Sequence, residues 1–187
     1  MPVSTTFDKT KLENPPLDLH YLGDRVLRTP AKRIAKVDVG LRKLVQEMLQ
    51  TMYSADGIGL AAPQVGVHKQ LLVVDCEPDE PTTPPLVLIN PQLKAFSREV
   101  CDAQEGCLSI PGVYLDVTRP QAIDVAFKDE NGRPQRLNAN GLLARVIQHE
   151  MDHLTGVLFV DRVQNGLVLA EELRKHKFSV QAVRPVA

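Results

Sequence analysis

Residues 149–153 read His-Glu-Met-Asp-His, and they are the sharpest chemical signal in the chain. On a helix, positions i and i+4 share a face, so His149 and His153 can offer two imidazoles to one metal ion. Glu150 lies one residue along, where it can reach a water beside that ion without being a ligand itself. Two histidines leave a tetrahedral ion two donors short. A downstream histidine of the metzincin kind would fall at position 159, but Phe159 stands there. Glu171 or Glu172 would serve in the gluzincin manner. An upstream thiolate is the third option, and Cys107 sits in Glu105-Gly106-Cys107-Leu108-Ser109. Thiolates suit zinc or ferrous iron. Cys76 and Cys101 read as small buried apolar residues.

These residues must be held by a modest framework. The chain has 187 residues, of which 43% are hydrophobic and 24% charged, the balance of an ordinary globular protein. Lys plus Arg number 22 against 23 Asp plus Glu, a formal net charge of −1, which disfavours a strongly basic nucleic-acid binder. No apolar run has the ~18 residues of a membrane span. The first twenty residues contain Asp8, Glu13 and Asp18 and lack an apolar stretch, so they do not read as a secretory signal. Three widely spaced cysteines are not a disulfide framework, and a reducing cytoplasm is the expected compartment.

Periodicity places the elements. Residues 1–20 read as an extended arm, and 21–187 as a single catalytic metallohydrolase domain. Leu41, Leu44, Val45, Met48 and Met52 recur at helical spacing and predict a helix over 41–53. Strands are expected at 70–75, 86–89, 93–100 and 122–128, with a return strand at 134–137 after the hairpin signal Asn131-Gly132. A second helix is expected over 141–154, with Asn138 or Asn140 as N-cap and Gly156 just past its end. A short strand at 157–161 and a helix at 166–178 follow. Strands outnumber helices without regular alternation. That predicts an α+β fold, with mixed and antiparallel strands packed around a central helix carrying the two histidines.

Three segments, taken in order, carry a specific resemblance. Gly57-Ile58-Gly59-Leu60-Ala61-Ala62-Pro63-Gln64, then Glu105-Gly106-Cys107-Leu108-Ser109, then His149-Glu150-Met151-Asp152-His153 resemble the three signature motifs of the peptide deformylases. The likeness extends over roughly residues 20–165. It implies removal of the N-formyl group from the initiator methionine of new polypeptides. It also implies one divalent ion on Cys107, His149 and His153, with a water at the fourth position. Ferrous iron is the ion expected in the cell, and Zn2+, Ni2+ or Co2+ are possible in purified protein. Glu150 would move the proton, while the Gln64 amide and the Leu108 backbone N–H would steady the developing oxyanion. Gly57, Ile58 and Gly59 would pair with the peptide backbone as with an added strand. Ile58, Leu142, Val146 and the His149 ring would house the methionine side chain. A plain core stripe gives the same spacing. Arg145 stands where many members have an aliphatic residue; its stem is expected at the pocket rim with the charge reaching water. Glu105 is expected to pair with Arg119.

The resemblance further implies N-formylmethionyl peptides as partners and a monomer, with transient association with the ribosome. No direct nucleic-acid or membrane contact is expected. The basic run Arg174-Lys175-His176-Lys177 reads as a solvated helix end. Two rival readings remain: a metalloprotease using Glu171 or Glu172 as third ligand, and a metal-stabilised binding module without turnover.

Overall fold

The computed structural model describes residues 7–186. A five-stranded antiparallel sheet has the order β1-β2-β3-β6-β7, formed by Gly59–Ala61, Leu71–Val74, Leu86–Phe96, Ala122–Lys128 and Pro134–Asn140. A separate antiparallel hairpin pairs β4 (Val100–Cys107) with β5 (Ile110–Pro120). Three α-helices, α1 (Val39–Ser54), α2 (Gly141–Leu154) and α3 (Gly166–Lys175), complete the α+β architecture. Among the described residues every pair of strands is antiparallel; one isolated bridge, Lys32 with Lys69, is parallel.

The layers follow from side-chain alternation. In β2 all four residues are buried, because both faces of the sheet are covered. Leu71 and Val73 face α1, where Leu41, Val45, Met48 and Met52 form the apolar stripe that the periodicity predicts. Leu72 and Val74 face α2, through Ala144, Val146 and Ile147. The β4–β5 hairpin has its own apolar cluster, in which Ile110, Val113, Leu115 and Val117 pack on Phe159, Leu169 and Leu173. Helix α2 therefore has an apolar side toward the sheet and a polar side toward the hairpin. Its bounds match the sequence expectation. Asn140 is its N-cap residue but makes no capping side-chain bond.

Several expectations need correction. Residues 93–100 are not one strand. Leu93 to Phe96 continue β3 across two register shifts against β6, while Val100 opens β4. The first irregularity lies at Asn90, whose φ is +52° and whose buried amide both accepts from Ile34 N–H and donates to Ile34 C=O, each at 2.8 Å. The return strand β7 runs on to Asn140. Residues 159–162 form a 3₁₀ turn, not a strand, because Asp161 turns back to accept from Leu158 N–H at 2.8 Å while pairing with Arg28. Helix α3 ends at Lys175. Of the expected arm, residues 1–6 lie outside the described residues; residues 7–24 run without helix or strand, with Phe7, Leu17 and Leu19 packed against the α1 cluster.

Gly156 ends α2 with φ +76°, and a Cβ there would sit 2.8 Å from the Arg28 carbonyl oxygen. Both the left-handed backbone and the backbone collision disfavour a side chain. Gly156→Ala is expected to lower unfolding free energy by about 2 kcal/mol or more, read as the shift of the urea midpoint. An unchanged midpoint would contradict this packing.

Candidate metal centre and active site

Cys107 is the last residue of β4, and His149 and His153 stand one turn apart on α2. One donor atom from each lies within 4.8 Å of the others, with Cys107 Sγ and His153 Nε2 3.4 Å apart. Glu171 and Glu172, the alternative third ligands, pair with Lys175 on α3 instead. Phe159, where a metzincin would place its third histidine, stacks on the His149 ring at 5.9 Å between centroids.

The hairpin and α2 are joined at this point by charge. Glu105 Oε2 lies 2.9 Å from His149 Nδ1. The same carboxylate accepts from Arg119 Nε at 2.6 Å and Nη2 at 2.9 Å, and from Arg145 Nη1 at 2.7 Å. Burial alone would raise the Glu105 pKa, but hydrogen bonds from His149 and Arg119 and the Arg119 charge outweigh it and hold it at about 2. An ionised Glu105 accepts from His149 Nδ1, so that Nε2 is the nitrogen that would be offered to a metal. Arg119 continues to Asp152 at 2.9 Å, which Arg162 grips with two bonds of 2.7 Å.

The expectation for Glu105 and Arg119 therefore holds, while that for Arg145 needs revision. Its stem lines the cleft, but its guanidinium turns inward rather than to water. It donates to the carbonyls of Val117 and Cys101, both at 2.8 Å, besides Glu105. An ionised carboxylate and two carbonyls that converge on the guanidinium hold the charge inward in place of water.

Glu150 is buried beside the donors, and its Oε2 has no hydrogen-bond partner among the described residues; neither does His153 Nδ1. Burial pushes the Glu150 pKa up to about 7, against the opposing pull of His149. Burial and the neighbouring His149 push His153 well below the usual histidine range. His149 is held well above that range: burial opposes this, and hydrogen bonds to Cys107 and Glu105 prevail. A soft thiolate, two imidazoles and an unpartnered carboxylate oxygen fit a single divalent ion with a proton acceptor next to it.

A cleft of about 540 Å³ opens over these groups. Gly57, Ile58 and Gly59 form one wall, with Glu105, Cys107, Leu108, Leu142, Arg145, Val146, His149 and Glu150 around it. Gly59 has no room for a side chain: a Cβ would lie 2.4 Å from Glu150 Oε1. Leu142 is half exposed at the mouth. Gln64 lies beneath, donating to Ser109 Oγ at 3.1 Å and Cys107 Sγ at 3.4 Å, while its Oε1 accepts from Ala61 N–H at 2.8 Å. Sequence reasoning missed Ser109 as the anchor of Gln64, although it lies within the second motif. It also missed Leu19, Tyr21 and Tyr114 on the cleft wall, which no local pattern marks.

An α+β fold with a Cys/His/His donor set and an adjoining buried carboxylate has the make-up of a metal-dependent hydrolase. Residues 16–167 match the family model described as polypeptide deformylase. The chain is 70% identical, over the full length of both proteins, to peptide deformylase 1 of Nostoc sp., and 66% identical to the peptide deformylase of Synechocystis sp., again over both full lengths. The crystal structure of a peptide deformylase from Synechococcus elongatus in complex with actinonin superposes with a TM-score of 0.97 at 66% identity, covering 98% of this chain and 100% of that one. A plant peptide deformylase matches at TM-score 0.81 and 38% identity, covering 89% of this chain and 90% of its own. The chain belongs to the polypeptide deformylase family, the metal-dependent hydrolases that remove the N-terminal formyl group from nascent polypeptides.

Glu105→Gln preserves shape but removes the charge that orients His149. Metal affinity is expected to fall about 10- to 100-fold, measured by chelator competition. An unchanged affinity would mean that the carboxylate does not support the ligand.

Proposed function

We propose that Cys107, His149 and His153 hold one divalent ion, and that this cleft removes the formyl group from N-formylmethionyl peptides. The observation that carries the reading is the convergence of the three donor atoms beside the unpartnered, buried Glu150 oxygen. A bound ion supplies Lewis acidity, drawing the pKa of a water toward neutral and polarising the formyl oxygen. Glu150 Oε2 accepts the proton of the attacking water as its oxygen bonds to the formyl carbon. Glu150 then delivers that proton to the amine nitrogen as the C–N bond breaks, and formate leaves. The Gln64 Nε2 amide, which donates here to Ser109 Oγ and Cys107 Sγ, would turn to the developing oxyanion together with the Leu108 N–H; such a donor is typically worth ~3 kcal/mol.

The substrate backbone pairs with Gly57, Ile58 and Gly59. In support, β1 is an outer strand of the sheet, so one of its edges is open to an added strand. Ile58, Val146, Leu142 and the His149 ring receive the methionine side chain. Ferrous iron is the cellular ion, and zinc, nickel or cobalt can replace it. The chain acts as a monomer in the cytoplasm, visits the ribosome transiently and needs no nucleic-acid contact. No described helix is long and apolar enough to cross a membrane. Of the described residues, 21–186 form the catalytic domain and 7–20 an arm upon it.

Formate release from an N-formyl-Met tripeptide, by protein purified without oxygen, tests the reaction. Glu150→Ala is expected to keep its metal and lose about 100- to 10,000-fold in kcat, while Cys107→Ala loses the metal. A Glu172→Ala variant that lost the metal instead would favour a protease with a carboxylate ligand. The thiolate-bound ferrous site is expected to lose activity in air. Full activity after long aeration, with iron still bound, would refute that assignment.

A further inference from the structure

Residues 9–12 are fastened both to the loop that follows β2 and to the bend that joins α1 to β1. Lys9 Nζ lies 2.7 Å from Asp75 Oδ2 and donates to the carbonyls of Glu77 at 3.1 Å and Glu80 at 2.8 Å. All three N–H groups of the ammonium are thus used inside the protein, and its side chain is only 13% exposed. The Asp75 side chain is 1% exposed. It accepts from Tyr53 Oη, near the end of α1, at 2.7 Å and from Glu77 N–H at 3.0 Å. Its own backbone N–H donates to the Ile58 carbonyl at 2.9 Å. Two residues beyond Lys9, Lys11 pairs with Asp56, and Leu12 N–H donates to Ser54 Oγ at 2.9 Å. Asp56 holds φ +59°, a left-handed conformation that a non-glycine residue adopts at a cost, so surrounding contacts must maintain it.

The strap therefore grips both sides of the segment Ala55-Asp56-Gly57-Ile58, which lines the cleft. Cys107, His149, His153 and Glu150 belong to β4 and α2, to which, among the described residues, neither Lys9 nor Asp75 makes a hydrogen bond or ion pair. Loosening the strap would therefore act first on the edge that meets the peptide backbone, while the metal-site side chains keep their own bonds to Glu105 and its partners.

We propose that Lys9 is a positioning residue for substrate: by saturating the buried Asp75 carboxylate it holds the Gly57–Gly59 edge at the spacing an added strand requires. The inference rests on the deformylase reading and its strand-like substrate pose. Contacts made equally in ground and transition states change KM and leave kcat alone. A formyl-Met tripeptide has backbone to pair with that edge, whereas formyl-methionine amide has almost none.

The test is steady-state formate release by the full chain carrying Lys9→Met, with both substrates, well below each variant's melting midpoint. Expected are a rise of about tenfold in KM for the tripeptide, an unchanged kcat, and an unchanged KM for the amide. Lys9→Met leaves Asp75 buried without a counter-charge and can fail to fold. The double variant Lys9→Met/Asp75→Asn removes both charges; it is expected to recover the melting midpoint and to keep the raised tripeptide KM. A wild-type tripeptide KM in the folded variants, or an equal rise for both substrates, overturns the proposal. Absence of formate release from either substrate by the unaltered, metal-loaded chain would instead overturn the deformylase reading beneath it.

Discussion

One buried carboxylate joins two parts of this molecule that backbone hydrogen bonding leaves apart. The β4–β5 hairpin supplies Cys107, and α2 supplies the two histidines; among the described residues no main-chain hydrogen bond runs between them. Glu105 spans the gap, with Arg119 on its own hairpin and Arg145 and His149 on α2. Burying a carboxylate costs several kcal/mol unless its lone pairs are met, and here three charged or polar side chains meet them. The distance from the thiol to the imidazoles is thus set by charge-assisted hydrogen bonds of 2.6 to 2.9 Å, which are more directional than apolar packing.

The two sides of α2 consequently do different work. Toward the sheet it presents Ala144, Val146 and Ile147, which fix its height over β2 and β3 by close packing. Toward the hairpin it presents Arg145, Gln148, His149 and Asp152, each with a polar partner there. Val146 serves both environments, since it belongs to the sheet-facing cluster and also lines the cleft. The apolar layer provides rigidity and the polar layer provides aim, a combination that suits a site whose parts must agree within a fraction of an ångström.

Much of this was legible in the chain because it is local. Helix α2 was bounded by its own apolar spacing and by Gly156, and the pairing of His149 with His153 needs only helical geometry. The hairpin β6–β7 was marked by Asn131-Gly132. What escaped was non-local. Residue types alone left Cys107 as one of three possible third ligands, and only the three motifs in series singled it out. Strand β4 alternates among Cys101, Ala103 and Glu105, small or charged residues that do not look like an inward face; they face a guanidinium rather than a core. The direction of Arg145 depends on groups contributed by residues 101, 105 and 117, which no window around 145 contains. Residues 157–160 carry the apolar character of a strand, and the Asp161 carboxylate, tied to Arg28, bends 159–162 into a turn.

The absence of a Cβ at Gly59 also limits how the cleft can change under selection. The wall beside Glu150 cannot thicken: the smallest added group would meet the carboxylate and the Val146 side chain at once, at 2.4 and 2.8 Å. Leu142 and Tyr114, both more than half exposed at the mouth, are under no such restriction. At this wall, resistance to a molecule that mimics the formyl-methionyl end has no route through added bulk, whereas the rim can change what reaches the cleft. A molecule that keeps its contacts to the glycine wall meets a surface that added side chains cannot reshape.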